Sequence, residues 1–207
     1  LINNFMKVVS KFLDNSTDTI EMTYLAKQSK RLYAKDDNSI QSLPTIFRNY
    51  ILPDNVYDYD IKSCHPSIYL WLCKKLKTKT EYIEKYIENT SDFLEKADVS
   101  KTDLLSYLNQ ENTKVKTTNE FLEGFLSELA FNKKLIIKHE NKIFNFKGKD
   151  INNEGSILSK IYIHYESIVM NKFYEKYKDI IVLPMFDGCI VNQEIPIEEL
   201  KELSKEF

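Results

Sequence analysis

The sequence predicts an α+β fold, a small antiparallel sheet combined with helices, and three stretches indicate it. Residues 56 to 61 alternate apolar and polar side chains, which is the period of a half-buried strand. Asp187-Gly188 lies between the apolar runs "IIVLPMF" and "CIVN", and this arrangement predicts a hairpin because both turn residues tolerate positive φ. Apolar residues recur at helical spacing from Gly155 to about Lys178.

Before the first strand, the sequence predicts helices joined by polar segments. Apolar spacing from Phe5 to Leu13 fits one helix, and a second is expected from Ile20 to Ser29 after polar residues that could cap it. Residues 31 to 44 are irregular and polar. Helical spacing returns over residues 45 to 52, and a turn at residues 53 to 55 leads into the strand.

After the strand, a helix is expected to begin at once. Pro66 suits its first turn, where the missing N–H breaks no hydrogen bond, and Ser63 is a candidate cap upstream. Residues 79 to 132 are predicted to be mainly helical. Polar breaks at residues 89 to 92 and 110 to 119 divide this region into separate helices.

The composition is that of a folded globular protein, with 207 residues of which 43% are hydrophobic and 29% charged. The formal charge of −2 excludes a globally basic nucleic-acid binder but allows a local basic surface. Cys64, Cys73 and Cys189 show no metal-ligand spacing and are predicted to be free thiols in a reducing, intracellular compartment. No apolar run reaches the roughly 18 residues of a membrane span. The start at Leu1 rather than Met suggests an excerpt of a longer protein.

Two acids are distinguished by their places in these elements. Asp60 ends a strand and Asp187 tips a hairpin 187 − 60 = 127 positions later. Strands of one sheet could bring the two carboxylates side by side, where two Mg²⁺ ions about 3.5–4 Å apart would serve phosphoryl transfer. Each acid taken alone is equally well explained as a solvated turn residue. Asp58, one alternation step before Asp60 on the same face, is a supporting candidate.

Five segments resemble, in order, the motifs of family A DNA polymerases. The segment "RLYAKDDNSIQSLP" (31–44), with Arg48 after it, resembles the stretch before motif A, and "YDIKSCHPS" resembles motif A itself. "KTDLLSYLNQ" from Lys101 resembles the fingers helix of motif B, "EGSILSKIYI" from Glu154 the palm helix, and "MFDGCIV" stands where motif C lies. The Asp-x-x-x-x-His-Pro form of motif A and the Phe-Asp-Gly form of motif C are most similar to the motifs of transposon and virophage polymerases. The likeness covers about residues 30 to 192.

The resemblance implies a polymerase palm with a helical fingers subdomain. Residues 1–76 would hold the N-terminal helices and the first palm part, 77–150 the fingers-like subdomain, and 151–207 the second palm part. The implied activity is template-directed DNA synthesis in the replication of a virus, plasmid or mobile element. Its partners would be primer–template nucleic acid, deoxynucleoside triphosphates and fused or associated helicase or primase domains, with no membrane. The implied location is the host cytoplasm or nucleus.

The resemblance also assigns roles to individual residues. Asp60 and Asp187 would be catalytic, and with the backbone carbonyl of Ile61 they would bind two Mg²⁺, or Mn²⁺ in their place. The implied nucleotide-binding residues are Lys101, His65 and Asn109. The implied nucleic-acid contacts are Arg31, Gln41, Arg48 and Glu154.

The sequence departs from the family pattern at several positions. Phe186 and Gly188 flank the motif C aspartate in place of His and Glu, and His65 replaces a motif A Glu. The fingers helix differs at Ala97, Leu105 and Asn109-Gln110. Two alternative functions therefore stay open: a palm-derived nucleic-acid-binding or scaffolding domain without catalysis, and a two-metal nuclease that uses the same aspartates.

Some side chains allow a structural role beside a functional one. Tyr107 would stack on a base or lie in the core. The pairs Lys133-Lys134 and Lys147/Lys149 would follow a phosphate backbone or form a solvated face. His139 and His164 are expected to be structural.

Overall fold

The computed structural model describes residues 5–10, 22–26, 31–35, 39–110, 115–144, 154–203 and 205. These residues form an α+β protein, which confirms the predicted fold class. Backbone contacts divide the chain into two units. The mixed unit contains Leu1–Ile61 and Ser167–Glu206, and the helical unit contains Lys62–Glu166. This division differs from the predicted boundaries after residues 76 and 150.

The mixed unit is built around a three-stranded antiparallel sheet with the order β3-β5-β4. A separate two-stranded antiparallel sheet pairs β1 with β2. Residues 5–10 are helical. The other elements of this unit are β1 (Tyr24–Ala26), β2 (Leu32–Ala34), a 3₁₀ helix (Ile40–Ser42), α1 (Thr45–Ile51), β3 (Tyr57–Asp60), β4 (Ile181–Pro184), β5 (Gly188–Val191) and α8 (Ile197–Leu203).

The central strand β5 is buried at all four positions because both of its edges are paired and both of its faces are covered. Ile190 packs on one face with Leu183 and Val8, while Cys189 and Val191 pack on the other face in a separate apolar cluster. This two-sided burial explains the apolar run "CIVN" and places the turn before β5 at a defined end of the sheet.

The helical unit consists of successive helices whose buried aromatic and aliphatic side chains form its core. Tyr69, Tyr86, Phe93, Phe125 and Tyr162 are its largest fully buried apolar residues. The helices are α2 (Cys64–Lys75), α3 (Glu81–Glu88), α4 (Thr90–Ala97), α5 (Lys101–Asn109), α6 (Glu120–Phe144) and the first part of α7 (Glu154–Tyr177), which continues into the mixed unit.

Two predicted features of the first sixty-five residues are wrong. The helix expected from Ile20 to Ser29 is contradicted by Tyr24–Ala26, which forms β1 and pairs with Leu32–Ala34. A strand of three residues has too few alternations to be seen against helical spacing. Ser63 precedes α2, but its φ of 50° is left-handed and its side chain makes no capping bond.

Lys133 is buried, which corrects the prediction that it follows a phosphate backbone or a solvated face. Its side chain is only 2% exposed. The ammonium donates to the carbonyl of Tyr107 and, at 2.7 Å, to that of Gln110. These carbonyls lie at the C-terminal end of α5, where a cation is favoured by the helix dipole. Lys147 and Lys149 lie outside the described residues.

No helix in the described ranges is both long enough and apolar enough to cross a membrane. The three cysteines form no disulfide, as predicted, and all three are buried. Burial raises the pKa of Cys73 to about 11, and burial together with the nearby charge of Asp58 raises that of Cys189 to about 12.

We expect Cys73 and Cys189 to resist alkylation in the native protein. The thiolate is the reactive form, and raising the pKa from 9.0 to about 11 or 12 lowers its fraction at pH 8 by about 100- to 1,000-fold. Mass spectrometry after iodoacetamide treatment would measure this, with the unfolded chain in guanidinium as the control. A native thiol that reacts at the unfolded rate would contradict the prediction.

Candidate active site

Asp60 is the last residue of β3 and is exposed to solvent. The strand is held in place through its neighbour Tyr59, whose hydroxyl accepts a hydrogen bond from the Ile195 N–H at 2.8 Å and lies 3.2 Å from the Ile195 carbonyl. Because side chains alternate along a strand, Asp60 and Asp58 lie on the face opposite Tyr59. The fixed strand therefore presents the Asp60 carboxylate outward.

Asp187 lies in the turn between β4 and β5, at the hairpin tip as predicted. The turn is closed by the Met185 N–H, which donates to the Gly188 carbonyl at 3.0 Å. It is also held from α7 by the Tyr174 hydroxyl, which donates to the Met185 carbonyl at 2.6 Å. Asp187 is half-buried. Its backbone position is thus determined by contacts on both sides of the turn.

The structure places Asp60 and Asp187 at neighbouring positions at one end of the sheet. Asp60 is paired with Gly188 across β3 and β5. The Ile61 N–H donates to the Asp187 carbonyl at 2.8 Å, which holds the hairpin tip against the end of β3. Sheet spacings place the two aspartate Cα atoms about 6 Å apart. That the two carboxylates come within about 3.5–5 Å when metal is bound stays a prediction.

Gly188 is required by the close approach of β3. A Cβ atom at this position would lie 2.3 Å from the Tyr59 carbonyl oxygen, 3.1 Å from the Asp60 Cα and 3.2 Å from the Asp60 Oδ1. The absent side chain therefore allows β3 and β5 to pair closely at this end of the sheet. This is the physical reason for glycine at position 188.

Gly188→Ala should lower the free energy of unfolding by about 1–3 kcal/mol, because the added methyl group must push β3 away from β5. Urea denaturation would measure the change. Val182→Ala, on the exposed side of β4, is a matched control and should have a smaller effect. A fully stable Gly188→Ala protein would show that the end of β3 is not held against β5.

Arg31 lies beside this turn. Its guanidinium carbon is 4.6 Å from the centroid of the Phe186 ring, and Phe186 immediately precedes Asp187. The Tyr33 ring also contacts Phe186, with 5.3 Å between ring centroids. A cation stacked on an aromatic face in this way is attracted to the ring quadrupole. The structure thus brings the predicted nucleic-acid contact Arg31 next to a predicted catalytic residue.

Gln41 has a structural role in place of the nucleic-acid contact that the resemblance implies. Its side-chain amide donates to the carbonyls of Leu32 at 3.2 Å and Pro184 at 3.0 Å, and its oxygen accepts from the Ala34 N–H at 3.2 Å. Both N–H donors are therefore used, and the residue is only 8% exposed. Gln41 joins β2 to the end of β4.

The Arg48 side chain makes hydrogen bonds to residues just before it in the chain. It donates to the Leu43 carbonyl at 2.7 Å and to the Thr45 hydroxyl at 3.0 Å, at the start of α1. These bonds involve two of the five N–H donors of a guanidinium. A further contact with nucleic acid stays a prediction.

The remaining predicted site residues belong to the helical unit. Lys101 is the exposed first residue of α5, while Leu104 and Leu108 of the same helix are fully buried. The His65 Nε2 lies 3.4 Å from the carboxylate of the buried Glu166. Asn109 donates to the Leu105 carbonyl at 2.9 Å, and Glu154 is the first residue of α7. Their roles in nucleotide and nucleic-acid binding stay predictions.

The other two histidines have structural contacts. The His139 Nδ1 lies 2.9 Å from the carboxylate of Glu140, which is buried and also accepts a hydrogen bond from the Tyr165 hydroxyl at 2.7 Å. The His164 ring packs edge-on against Phe144, with 4.6 Å between centroids. His164 therefore packs α7 against α6 directly, whereas His139 contacts Glu140 of its own helix, and it is Glu140 that is bonded to α7.

Sequence reasoning missed two partners of predicted residues. Phe186 was noted only as a departure from motif C, although it supports Arg31, and Glu166 was not singled out as the partner of His65. An aromatic residue directly before an Asp-Gly turn is the one signal that could have pointed to Phe186. Glu166 carries no such signal, because a glutamate within a helix is ordinary.

Binding of Mg²⁺ by Asp60 and Asp187, which the resemblance implies, stays a prediction. Mg²⁺ prefers oxygen ligands, and in phosphoryl-transfer sites it is bound by one or two carboxylates together with substrate phosphates and water. Within the ranges that the structure covers, no group of three or more His, Cys, Asp or Glu side chains could hold a metal. The pair Asp60 and Asp187 supplies two carboxylates at one end of the sheet, so substrate and water would have to provide the other ligands.

The fold and this site define an α+β protein with two aspartates at one end of a three-stranded antiparallel sheet. The chain is similar to the Sputnik virophage protein named "Putative helicase V13", with 28% identity over 186 residues. The match covers 78% of this chain and 24% of the virophage protein, so the chain spans about a quarter of that relative's length. No family model and no solved structure matches the chain. The chain thus has a relative from a virophage, while the resemblance to family A polymerases stays a prediction.

Proposed function

We propose that the chain catalyses template-directed nucleotidyl transfer, as a DNA polymerase similar to family A, with Asp60 and Asp187 as its catalytic carboxylates. The observation that carries the proposal is the placement of these two residues at neighbouring positions on β3 and the β4–β5 turn. Two acids separated by 127 positions in sequence lie at neighbouring positions at one end of a sheet, in the order of the motif A and motif C segments that the resemblance assigns to them.

The chain's own residues would bind and orient the reactants. When bound, two Mg²⁺ ions would activate the primer 3′ hydroxyl and stabilise the leaving pyrophosphate. The Asp60 and Asp187 carboxylates and the Ile61 carbonyl would hold these ions. Arg31 would bind a phosphate of the primer–template, and Lys101 the triphosphate of the incoming nucleotide, with further contacts from His65, Asn109, Arg48 and Glu154.

The name of the virophage relative supports a partner for this activity rather than a helicase site in the chain. A phosphate-binding loop of an ATP-driven helicase needs the pattern G-x-x-x-x-G-K-[ST]. The four glycines of this chain, at positions 124, 148, 155 and 188, nowhere form it. We therefore propose a polymerase segment that works with a fused or associated helicase or primase domain. Its three cysteines, which form no disulfide, suit a reducing intracellular compartment.

Primer extension by the full-length protein tests the proposal. A labelled primer on a DNA or RNA template, with Mg²⁺ and deoxynucleotides, should lengthen according to the template sequence. Parallel reactions with ribonucleotides measure sugar selectivity. Duplex binding without incorporation would instead identify a scaffolding domain, and Mg²⁺-dependent shortening of the labelled DNA without nucleotides would identify a nuclease.

A further inference from the structure

Phe186 and Arg31 form a contact next to the proposed metal-binding aspartate Asp187. The guanidinium lies over the Phe186 ring at 4.6 Å, one residue before Asp187 in the chain. The two residues are 186 − 31 = 155 positions apart, so tertiary structure alone brings them together. Tyr33, two residues after Arg31, packs on the same ring at an interplanar angle of 52°.

The backbone on both sides of this contact is held by Gln41. Its amide binds the Leu32 carbonyl and the Ala34 N–H, which flank Tyr33, and also the Pro184 carbonyl, two residues before Phe186. A single buried side chain thereby sets the distance between β2 and the end of β4. The distance between Arg31 and the Phe186 ring follows from it.

We propose that Phe186 is a positioning residue that holds the Arg31 guanidinium against the β4–β5 turn, where it binds a phosphate of the primer–template duplex. The nature of this ligand depends on the proposed function. Stacking uses the flat face of the guanidinium, and a guanidinium has five N–H donors along its edge, of which a phosphate would take two as a fork. A lysine ammonium can lie over a ring, but it has no planar fork of N–H donors to bind a phosphate in a bidentate way.

Electrostatics explains why a fixed cation is useful at this place. Asp60 and Asp187 carry negative charge, and a nucleic-acid backbone that approaches them is repelled by like charges a few ångström away. A guanidinium held beside the turn offsets that repulsion at the approaching phosphate. A freely moving arginine would lose more side-chain entropy on binding than one already stacked on an aromatic ring.

A double-mutant cycle on duplex binding, measured without nucleotides by fluorescence anisotropy, tests the proposal. Arg31→Ala should weaken duplex binding about tenfold. It should also reduce the slope of log affinity against log salt concentration by about one, the value expected for one lost phosphate contact. Phe186→Leu should weaken it about three- to fivefold. If Phe186 acts through Arg31, the double variant should bind no worse than Arg31→Ala alone. Phe186→Tyr keeps the ring and should bind like the parent protein.

Controls separate this effect from loss of structure. Tyr50→Leu removes an aromatic ring that is 80% exposed in the same unit and should leave binding unchanged. Thermal unfolding should show similar midpoints for Phe186→Leu and Phe186→Tyr, so that only the missing ring distinguishes them.

Three outcomes would overturn the proposal: a Phe186→Leu effect that persists in full in the Arg31→Ala protein, an Arg31→Ala protein with parental duplex affinity, or an effect only on the KM for nucleotide. The cycle is independent of catalysis. If the duplex affinities follow the predicted cycle but no nucleotide is incorporated, the inference about Phe186 is supported and the polymerase activity is refuted. If nucleotide is incorporated but the affinities do not follow the cycle, the polymerase activity is supported and the inference is refuted.

Discussion

Asp187→Asn should lower single-turnover nucleotide incorporation by at least about 1,000-fold, which corresponds to about 4 kcal/mol of transition-state stabilisation. The amide keeps the size of the side chain but removes the negative charge that a divalent ion requires. The hairpin should be unaffected, because the contacts of residue 187 that hold the turn are made by its backbone carbonyl. Duplex binding without nucleotide should be retained or slightly strengthened.

The design of this test uses the second aspartate and an unrelated acid. Asp60→Asn should give a similar loss, and the double variant should be little worse than either single one, because the two carboxylates act as a unit. Asp54→Asn makes the same charge change at an exposed turn residue and should incorporate normally. An Asp187→Asn protein within tenfold of the parent would refute the catalytic role of the site.

Lys101→Ala should lower kcat/KM for the incoming nucleotide by about ten- to a hundredfold. The substitution would remove the proposed charge-assisted contact with the triphosphate, worth roughly 1.5–3 kcal/mol. Folding should be nearly normal, because Lys101 is exposed and α5 begins with a separate capping box formed by Ser100 and Asp103. Steady-state incorporation at varied nucleotide concentration would measure the effect.

Lys96 provides a matched control for this variant. It is an exposed lysine near the end of α4, where it pairs with Asp92 on the same helix. Lys96→Ala should leave nucleotide use unchanged and duplex affinity within about twofold. A Lys101→Ala protein with the efficiency of the parent would place the triphosphate site elsewhere, whatever the aspartates do.

The elements that carry the two aspartates were predictable because local patterns determine them. The Asp187-Gly188 pair between apolar runs specifies a hairpin, and the apolar spacing after Gly155 specifies the long helix α7. The α+β class follows from these stretches. By contrast, β1 was missed because three residues contain no usable periodicity, and its stability comes from pairing with β2.

The roles of Gln41, Lys133 and Arg31 could not be predicted, because each depends on a contact with a residue that is distant in sequence. Nothing in a polar segment distinguishes Gln41, whose amide is used by β2 and β4, from a glutamine that contacts nucleic acid. Of the neighbouring lysines on α6, Lys133 is buried and Lys134 is exposed, because only Lys133 meets the end of α5. The stacking of Arg31 on Phe186 likewise requires the tertiary structure.

The pairing of β3 with β5 has a consequence for the order of folding. Asp60 and Gly188 are 188 − 60 = 128 positions apart, and the helical unit lies between them as one uninterrupted stretch of chain. During synthesis, Lys62–Glu166 can fold while the strands β4 and β5 of the three-stranded sheet are still untranslated. When β3 then pairs with β5, the chain between them is already folded into compact helices. The loop that must be closed is effectively shorter, so the entropic cost of closing it is smaller. Pulse-labelled hydrogen exchange should therefore show the helices protected before the strands that hold the aspartates.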